Sequence, residues 1–263
     1  MGQAKLINYK KTIYNAVIKL NNSLTKPAMF MIHPGMSGCE VYVSIASKFL
    51  DHFSCYGIDS YNLYNPNKIE NLHELADYYL TYIEKIMLEK EQDIYYLFGW
   101  SLGGIISLEI ASILEKKGCQ NVKIFLLDTL VVDEHILSLS DKVDLYKNNS
   151  QHRKSMLEEG FEESYVNKVI DNLQTEAKLV VQKISSTLVY SDILLFKAMQ
   201  IGQKINSEYN KKIYEYSLKL KYNNINKFTA NIEQIKVVEM FDSNHWDILL
   251  EESTILDNIV KQD

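Results

Sequence analysis

The sequence predicts an α/β fold: a mostly parallel central sheet with helices on both faces and a helical insertion late in the chain. Three observations carry this. Short apolar runs alternate with segments of helical periodicity through the first half, the pattern of a parallel sheet covered on both sides. One of these runs, "IYYLFG", passes through "WSLG" directly into a helical pattern, over residues 94–118. The alternation then stops from about 133 to 188, where no strand pattern is found, and resumes with "DILLFKA" at 192–198.

Taken in order, "NAVIKL" (15–20) reads as a short strand in an otherwise polar lead-in. "AMFMIH" (28–33) is a compact apolar run stopped by Pro34 and Gly35, as a buried strand requires. "VYVSIASKFL" (41–50) reads as a helix and "CYGI" (55–58) as a second strand. Ile69, Leu72, Ala76, Tyr79, Leu80, Ile83 and Met87 recur at helical spacing and give one buried stripe. "IYYLFG" (94–99) is a strand, and residues 103–118 form a helix with lysines in its last turn and Gly118 placed to end it. "VKIFLLD" (122–128) is the next strand. In the insertion, Val166, Val169, Ile170, Leu173, Ala177, Val181 and Ile184 mark an amphipathic helix. "IKVVEMF" (235–241) is the last strand, and residues 246–262 close the chain as a helix.

The 263 residues, 46 % of them hydrophobic, suit one α/β domain over 1–263 with a well-buried core and the insertion at about 133–188. No linker or repeat divides it. The net charge of −6 is spread without blocks of one sign, so nucleic acid is not expected as a partner. Arg153 is the one arginine, which leaves a single source of bidentate anion recognition. Cys39, Cys55 and Cys119 are odd in number and widely spaced, which suggests reduced thiols rather than a disulfide framework or a zinc site. Lysines interrupt every apolar run in the first thirty residues, and no stretch reaches membrane-spanning length. A cytoplasmic monomer without a membrane partner is the expectation.

Gly99-Trp100-Ser101-Leu102-Gly103 fits G-x-S-x-G, and it stands where a nucleophile elbow must stand, between a buried strand and a helix. Ser101 would sit at a helix N-terminus, where the Leu102 N–H can donate to a developing oxyanion. The competing reading is an ordinary serine cap on a glycine turn. A serine nucleophile needs a base and the base an orienting carboxylate, both from the C-terminal ends of parallel strands. His245 follows the last strand and is the only histidine after position 152. Asp128 begins the loop after "VKIFLL"; its rivals are Glu208, far from a strand end, and Asp192, at the wrong edge of the sheet. The His33-Pro34-Gly35-Met36 loop should lie beside the elbow and can supply a second oxyanion N–H from Gly35 or Met36, since Pro34 has none. His33 itself reads as structural.

With these residues placed, the chain resembles thioesterase domains of the nonribosomal peptide synthetase type, within the α/β-hydrolase fold. The resemblance rests on "FMIHPGMSG" (30–38), "FGWSLGG" (98–104), "FLLDT" (125–129), "DILLFKA" (192–198) and "SNHWDIL" (243–249), in the family's order. It departs at "HPGMSG", where many members carry a further glycine. The resemblance implies Ser101, Asp128 and His245 as a catalytic triad and the insertion as a lid. It implies an acyl or peptidyl thioester substrate carried on the phosphopantetheine of a partner carrier domain, and no cofactor bound by the chain itself. Release would be by hydrolysis or macrocyclisation. "YNAVIKLNNSLTKPAMF" (14–30) resembles the lead-in to a synthetase's terminal domain. A free-standing editing thioesterase, a small-ester carboxylesterase and a non-catalytic binding module are the alternatives.

Overall fold

The computed structural model describes residues 14–136, 145–202 and 208–262. The lead-in before Tyr14, positions 137–144 of the expected insertion and 203–207 of the loop after the sixth strand lie outside the described residues. Among the described residues, seven strands form one sheet: β1 (Val17–Lys19), β2 (Ala28–Ile32), β3 (Ser54–Ile58), β4 (Tyr95–Trp100), β5 (Val122–Leu127), β6 (Asp192–Gln200) and β7 (Ile235–Asn244). Their order is β1-β3-β2-β4-β5-β6-β7. Only the edge strand β1 runs antiparallel; the other pairings are parallel, as expected.

The described helices are α1 (Val43–Lys48), α2 (Tyr61–Tyr64), α3 (Leu72–Glu89), α4 (Leu102–Lys116), α5 (Leu145–Glu158), α6 (Glu163–Val180), α7 (Glu208–Ser217) and α8 (Glu252–Val260). The central strands are apolar throughout because both of their faces are covered. Phe30, Ile32, Leu97, Ile124, Leu126 and Leu195 pack on one side with α3 and α4. Met29, Met31, Phe98, Phe125, Leu127 and Phe196 pack on the other with α1 and α8. This is the two-residue alternation of a strand, with apolar side chains on both faces.

Three segments differ from the sequence expectation. Residues 41–50 divide into a 3₁₀ turn, Cys39–Tyr42, and the short α1, with Tyr42 turned inward. Its hydroxyl donates to Ile32 O at 2.9 Å and accepts from the Trp100 N–H at 3.0 Å, which joins the ends of β2 and β4. The last strand runs on to Asn244, where a register irregularity against β6 adds residues to β7. The expected helix from 246 begins only at Glu252, because the Asn244 side chain takes the Trp246 N–H at 2.9 Å and the Asp247 N–H at 3.3 Å and holds a turn there.

The inserted helices α5 and α6 lie between β5 and β6, as the lapse in alternation predicts. The buried face of α6 is rotated from the predicted stripe. Val166, Val169 and Leu179 are buried, but so are Asn172, Thr175 and Glu176, whereas Ala177 is exposed and Val181 is 43 % exposed. Among the described residues, no helix is long and apolar enough to cross a membrane.

Candidate active site

The ladder bonds run on past the strand ends and so align the loops that follow them. Ser101 N–H donates to Leu127 O at 3.1 Å, Asp128 N–H to Phe196 O at 2.7 Å, and His33 N–H to Ile58 O at 3.0 Å. Ser101, Asp128 and the His33 loop therefore share the C-terminal edge of the sheet, where open parallel sheets place their sites.

Ser101 has φ 55° and ψ −119°, a left-handed conformation that a non-glycine residue adopts only where its surroundings impose it. Close packing imposes it here. A Cβ on Gly99 would lie 2.4 Å from the Gly103 carbonyl carbon, and one on Gly103 would lie 2.3 Å from Ile32 O and 2.7 Å from His33 O. The turn is thus pressed against the end of β2. Leu102 opens α4, so its N–H belongs to the first turn, which has no helical acceptors. The serine side chain makes no capping bond, which sets aside the reading of Ser101 as an ordinary helix cap.

Asp128 also lies at positive φ, 40°. Its Oδ1 accepts from the Ala198 N–H at 3.2 Å, and its Oδ2 from His245 Nδ1 at 2.8 Å. A carboxylate only accepts, so Nδ1 carries the hydrogen, and in the neutral tautomer that matches this bond Nε2 keeps its lone pair. The imidazole reaches back across β6 and is held from several sides. Its ring lies 5.4 Å from those of Trp100 and Trp246 and 5.7 Å from that of Tyr214, and Trp100 Nε1 donates to His245 O at 3.0 Å. The His245 and Asp128 side chains are 13 % and 9 % exposed, so little water competes for their bond. Asp192 starts β6, at the opposite edge, as the sequence places it.

His33 is buried and built into the scaffold. Burial lowers its pKa, so it stays neutral. Nδ1–H donates to Pro34 O at 2.8 Å, and Nε2 accepts from Tyr79 Oη at 2.9 Å; the same hydroxyl accepts from the Tyr61 N–H at 2.9 Å. Tyr79→Phe leaves the imidazole nitrogen and the Tyr61 N–H unpaired, and we expect it to cost about 2–4 kcal/mol in urea unfolding.

Sequence reasoning missed the residues that hold the Gly35–Met36 turn. Met36 has φ 66°, and its N–H donates to Glu176 Oε2 at 2.9 Å. Asn172 Nδ2 donates to Glu176 Oε1 at 2.7 Å. Tyr165, also on α6, donates to Glu40 Oε1 at 2.7 Å, and that oxygen accepts from the Gly38 N–H at 3.0 Å. One inserted helix therefore grips the loop at two points. Burial pushes the Glu176 carboxyl up to about 8, against the opposing pull of its hydrogen bonds from Met36 and Asn172 and the charge of Lys68. The available signal was a glutamate three residues after Leu173, on an apolar helical stripe. Among the described residues, no group of three or more His, Cys, Asp or Glu is placed to hold a metal.

Known proteins share the fold and stretches of the sequence. A 220-residue match joins the chain to the N-(5-amino-5-carboxypentanoyl)-L-cysteinyl-D-valine synthase of Penicillium rubens, at 23 % identity over 84 % of the chain but 5 % of the synthase. The dimodular nonribosomal peptide synthase of Bacillus subtilis matches at 26 % over 132 residues, 49 % of the chain and 5 % of that protein. The chain thus spans a small fraction of these curated relatives. Among solved structures, the NocB thioesterase domain in covalent complex with a fluorophosphonate nocardicin G analog aligns with a TM-score of 0.63 at 18 % identity, covering 90 % of this chain and 94 % of that one. The type II thioesterase BorB aligns with a TM-score of 0.64 at 12 % identity, covering 95 % and 99 %. These likenesses establish the shared fold. The family match is to the thioesterase domain and extends over residues 27–262. The chain belongs to the thioesterase domain family, hydrolases that act on thioesters.

Proposed function

We propose that this chain is a serine thioesterase that releases an acyl or peptidyl chain from the phosphopantetheine arm of a carrier domain, in nonribosomal peptide or hybrid polyketide assembly. One observation carries the reading: the 2.8 Å bond from His245 Nδ1 to Asp128, with Ser101 in a left-handed elbow at the end of β4. His245 Nε2 takes the Ser101 hydroxyl proton as Oγ bonds to the thioester carbonyl carbon. The oxyanion that forms is met by the Leu102 N–H and by a second N–H from the Gly35–Met36 turn. Collapse breaks the C–S bond, and the departing sulfur takes the proton from His245. Water, or an amine or hydroxyl of the bound acyl or peptidyl group, then attacks the acyl-serine carbonyl while His245 takes its proton; collapse breaks the C–Oγ bond, and Ser101 Oγ takes that proton from His245. Asp128 holds the imidazole in the tautomer that each step needs.

In this reading the whole chain is one domain and α5–α6 form its lid. A lid decides between free acid and macrocycle by controlling water at the acyl-enzyme. The partner is an acyl or peptidyl carrier domain, the cofactor arm belongs to that partner, and the setting is the cytoplasm. The relatives support this, since the matched segments belong to peptide synthases. The likeness to BorB favours a second role, editing of stalled carriers.

The test is turnover of one acyl group presented three ways: on a carrier protein, on N-acetylcysteamine, and as an oxygen ester. We expect kcat/KM to be highest for the carrier and at least about tenfold lower for the ester, about 1.4 kcal/mol at the transition state. Preference for the ester would favour a carboxylesterase. Faster clearance of acetyl than of peptidyl carriers would favour the editing role.

A further inference from the structure

Resting on the reading above, we infer that Glu176 of α6 is a positioning residue for the second oxyanion donor: by holding the Met36 N–H it turns the loop so that the Gly35 N–H meets the oxyanion.

Two sets of contacts fix Met36 in its left-handed conformation. Its side chain packs against a small apolar cluster of Leu63, Met156, Val166 and Val169, two of them on α6. Its N–H is engaged by Glu176. That hydrogen bond takes Met36 out of contention as a free donor. Gly35 lies between the two partners: a Cβ there would stand 3.4 Å from Glu176 Oε2 and 3.9 Å from Leu102 Cβ. The space beside the Gly35 Cα thus faces both Glu176 and Leu102, the residue that supplies the first oxyanion donor in that reading, and the Gly35 N–H has no backbone acceptor among the described residues.

A carboxyl beside Gly35 assists an oxyanion held by the Gly35 N–H only while that carboxyl is neutral. Burial keeps Glu176 protonated up to about pH 8. The groups acting on it are the Met36 N–H, Asn172 from its own helix and the Lys68 ammonium, and Tyr79 on α3 feels its charge. Asp171 acts on Lys68 in turn. Above that pH the carboxylate opposes the oxyanion and the rate falls. A glutamine keeps an acceptor for Met36 and cannot ionise.

The test compares wild type, Glu176→Ala and Glu176→Gln in the acylation of Ser101 by an acyl-N-acetylcysteamine. Glu176→Ala is expected to lower kcat about 10–100-fold with KM changed less than about threefold, a partial form of losing one oxyanion donor. Glu176→Gln should rescue most of the loss at pH 7 and abolish the decline above about pH 8 that the wild type shows. In amide NMR, the Met36 N–H signal should titrate near pH 8 in the wild type and stay fixed in Glu176→Gln. A Glu176→Ala enzyme as fast as wild type, with the same pH profile, would reduce Glu176 to a structural contact. A faster one would make it an occluding group. Either result overturns the inference, as does a Met36 signal that ignores pH. If no variant is acylated, the wild type included, the thioesterase reading fails, while the Met36 signal still decides the contact.

Discussion

Asp128→Asn leaves the fold intact and lowers kcat by about 10⁴-fold, the scale seen when a triad carboxylate is made neutral. The backbone tolerates the change because asparagine accepts the left-handed region, and position 128 has φ 40°. The amide oxygen can keep the Ala198 N–H that Oδ1 now accepts at 3.2 Å. The amide nitrogen must then face His245 Nδ1, and it can only donate. Nδ1 becomes the acceptor, the hydrogen moves to Nε2, and the base loses the lone pair that Ser101 needs. A full kinetic comparison with a melting curve measures both halves of the prediction. A rate within tenfold of wild type would mean that another carboxylate orients His245.

Gly103→Ala is expected to lose activity through the scaffold instead. Its Cβ would fall 2.3 Å from Ile32 O and 2.7 Å from His33 O, both backbone atoms that no rotamer change can move away. Either α4 shifts off β2 or the elbow opens, and both displace Ser101. Overpacking of this kind costs about 3 kcal/mol, roughly 6 °C in melting temperature for a domain of this size. Scanning calorimetry reads the loss directly. A melting point within about 2 °C of wild type would show that the elbow is less tightly seated than these distances imply.

Much of this was legible in the sequence, for physical reasons. The strands from β2 to β6 are buried on both faces and so read as unbroken apolar runs. Ser101 and Asp128 could be picked out because each follows such a run, and His245 because it follows the last strand; parallel strands bring those ends to one edge. The end of β7 was less legible: Asp242, Ser243 and Asn244 look like loop residues, yet they continue the ladder across an irregularity in register. The helix predicted from 246 gave way to a turn because one side chain, Asn244, outcompetes the first helical bonds. The α6 contacts were hidden for a different reason. Met36 and Glu176 are 140 positions apart, and nothing local to either announces the other. The apolar pattern of α6 suggested packing on Leu173 and Ala177. The helix instead turns Asn172, Thr175 and Glu176 inward, because part of what it covers is a polar loop with an N–H to satisfy.

The central claim is acyl transfer from a thioester to Ser101. Intact-mass spectrometry of the protein mixed with a peptidyl-N-acetylcysteamine thioester tests it most directly, with Ser101→Ala alongside. The expected result is a mass gain equal to the peptidyl group, mapped to Ser101 by proteolysis, absent in Ser101→Ala and accumulating when deacylation is slow. Turnover that persists in Ser101→Ala, or an adduct mapped to another side chain, would contradict it.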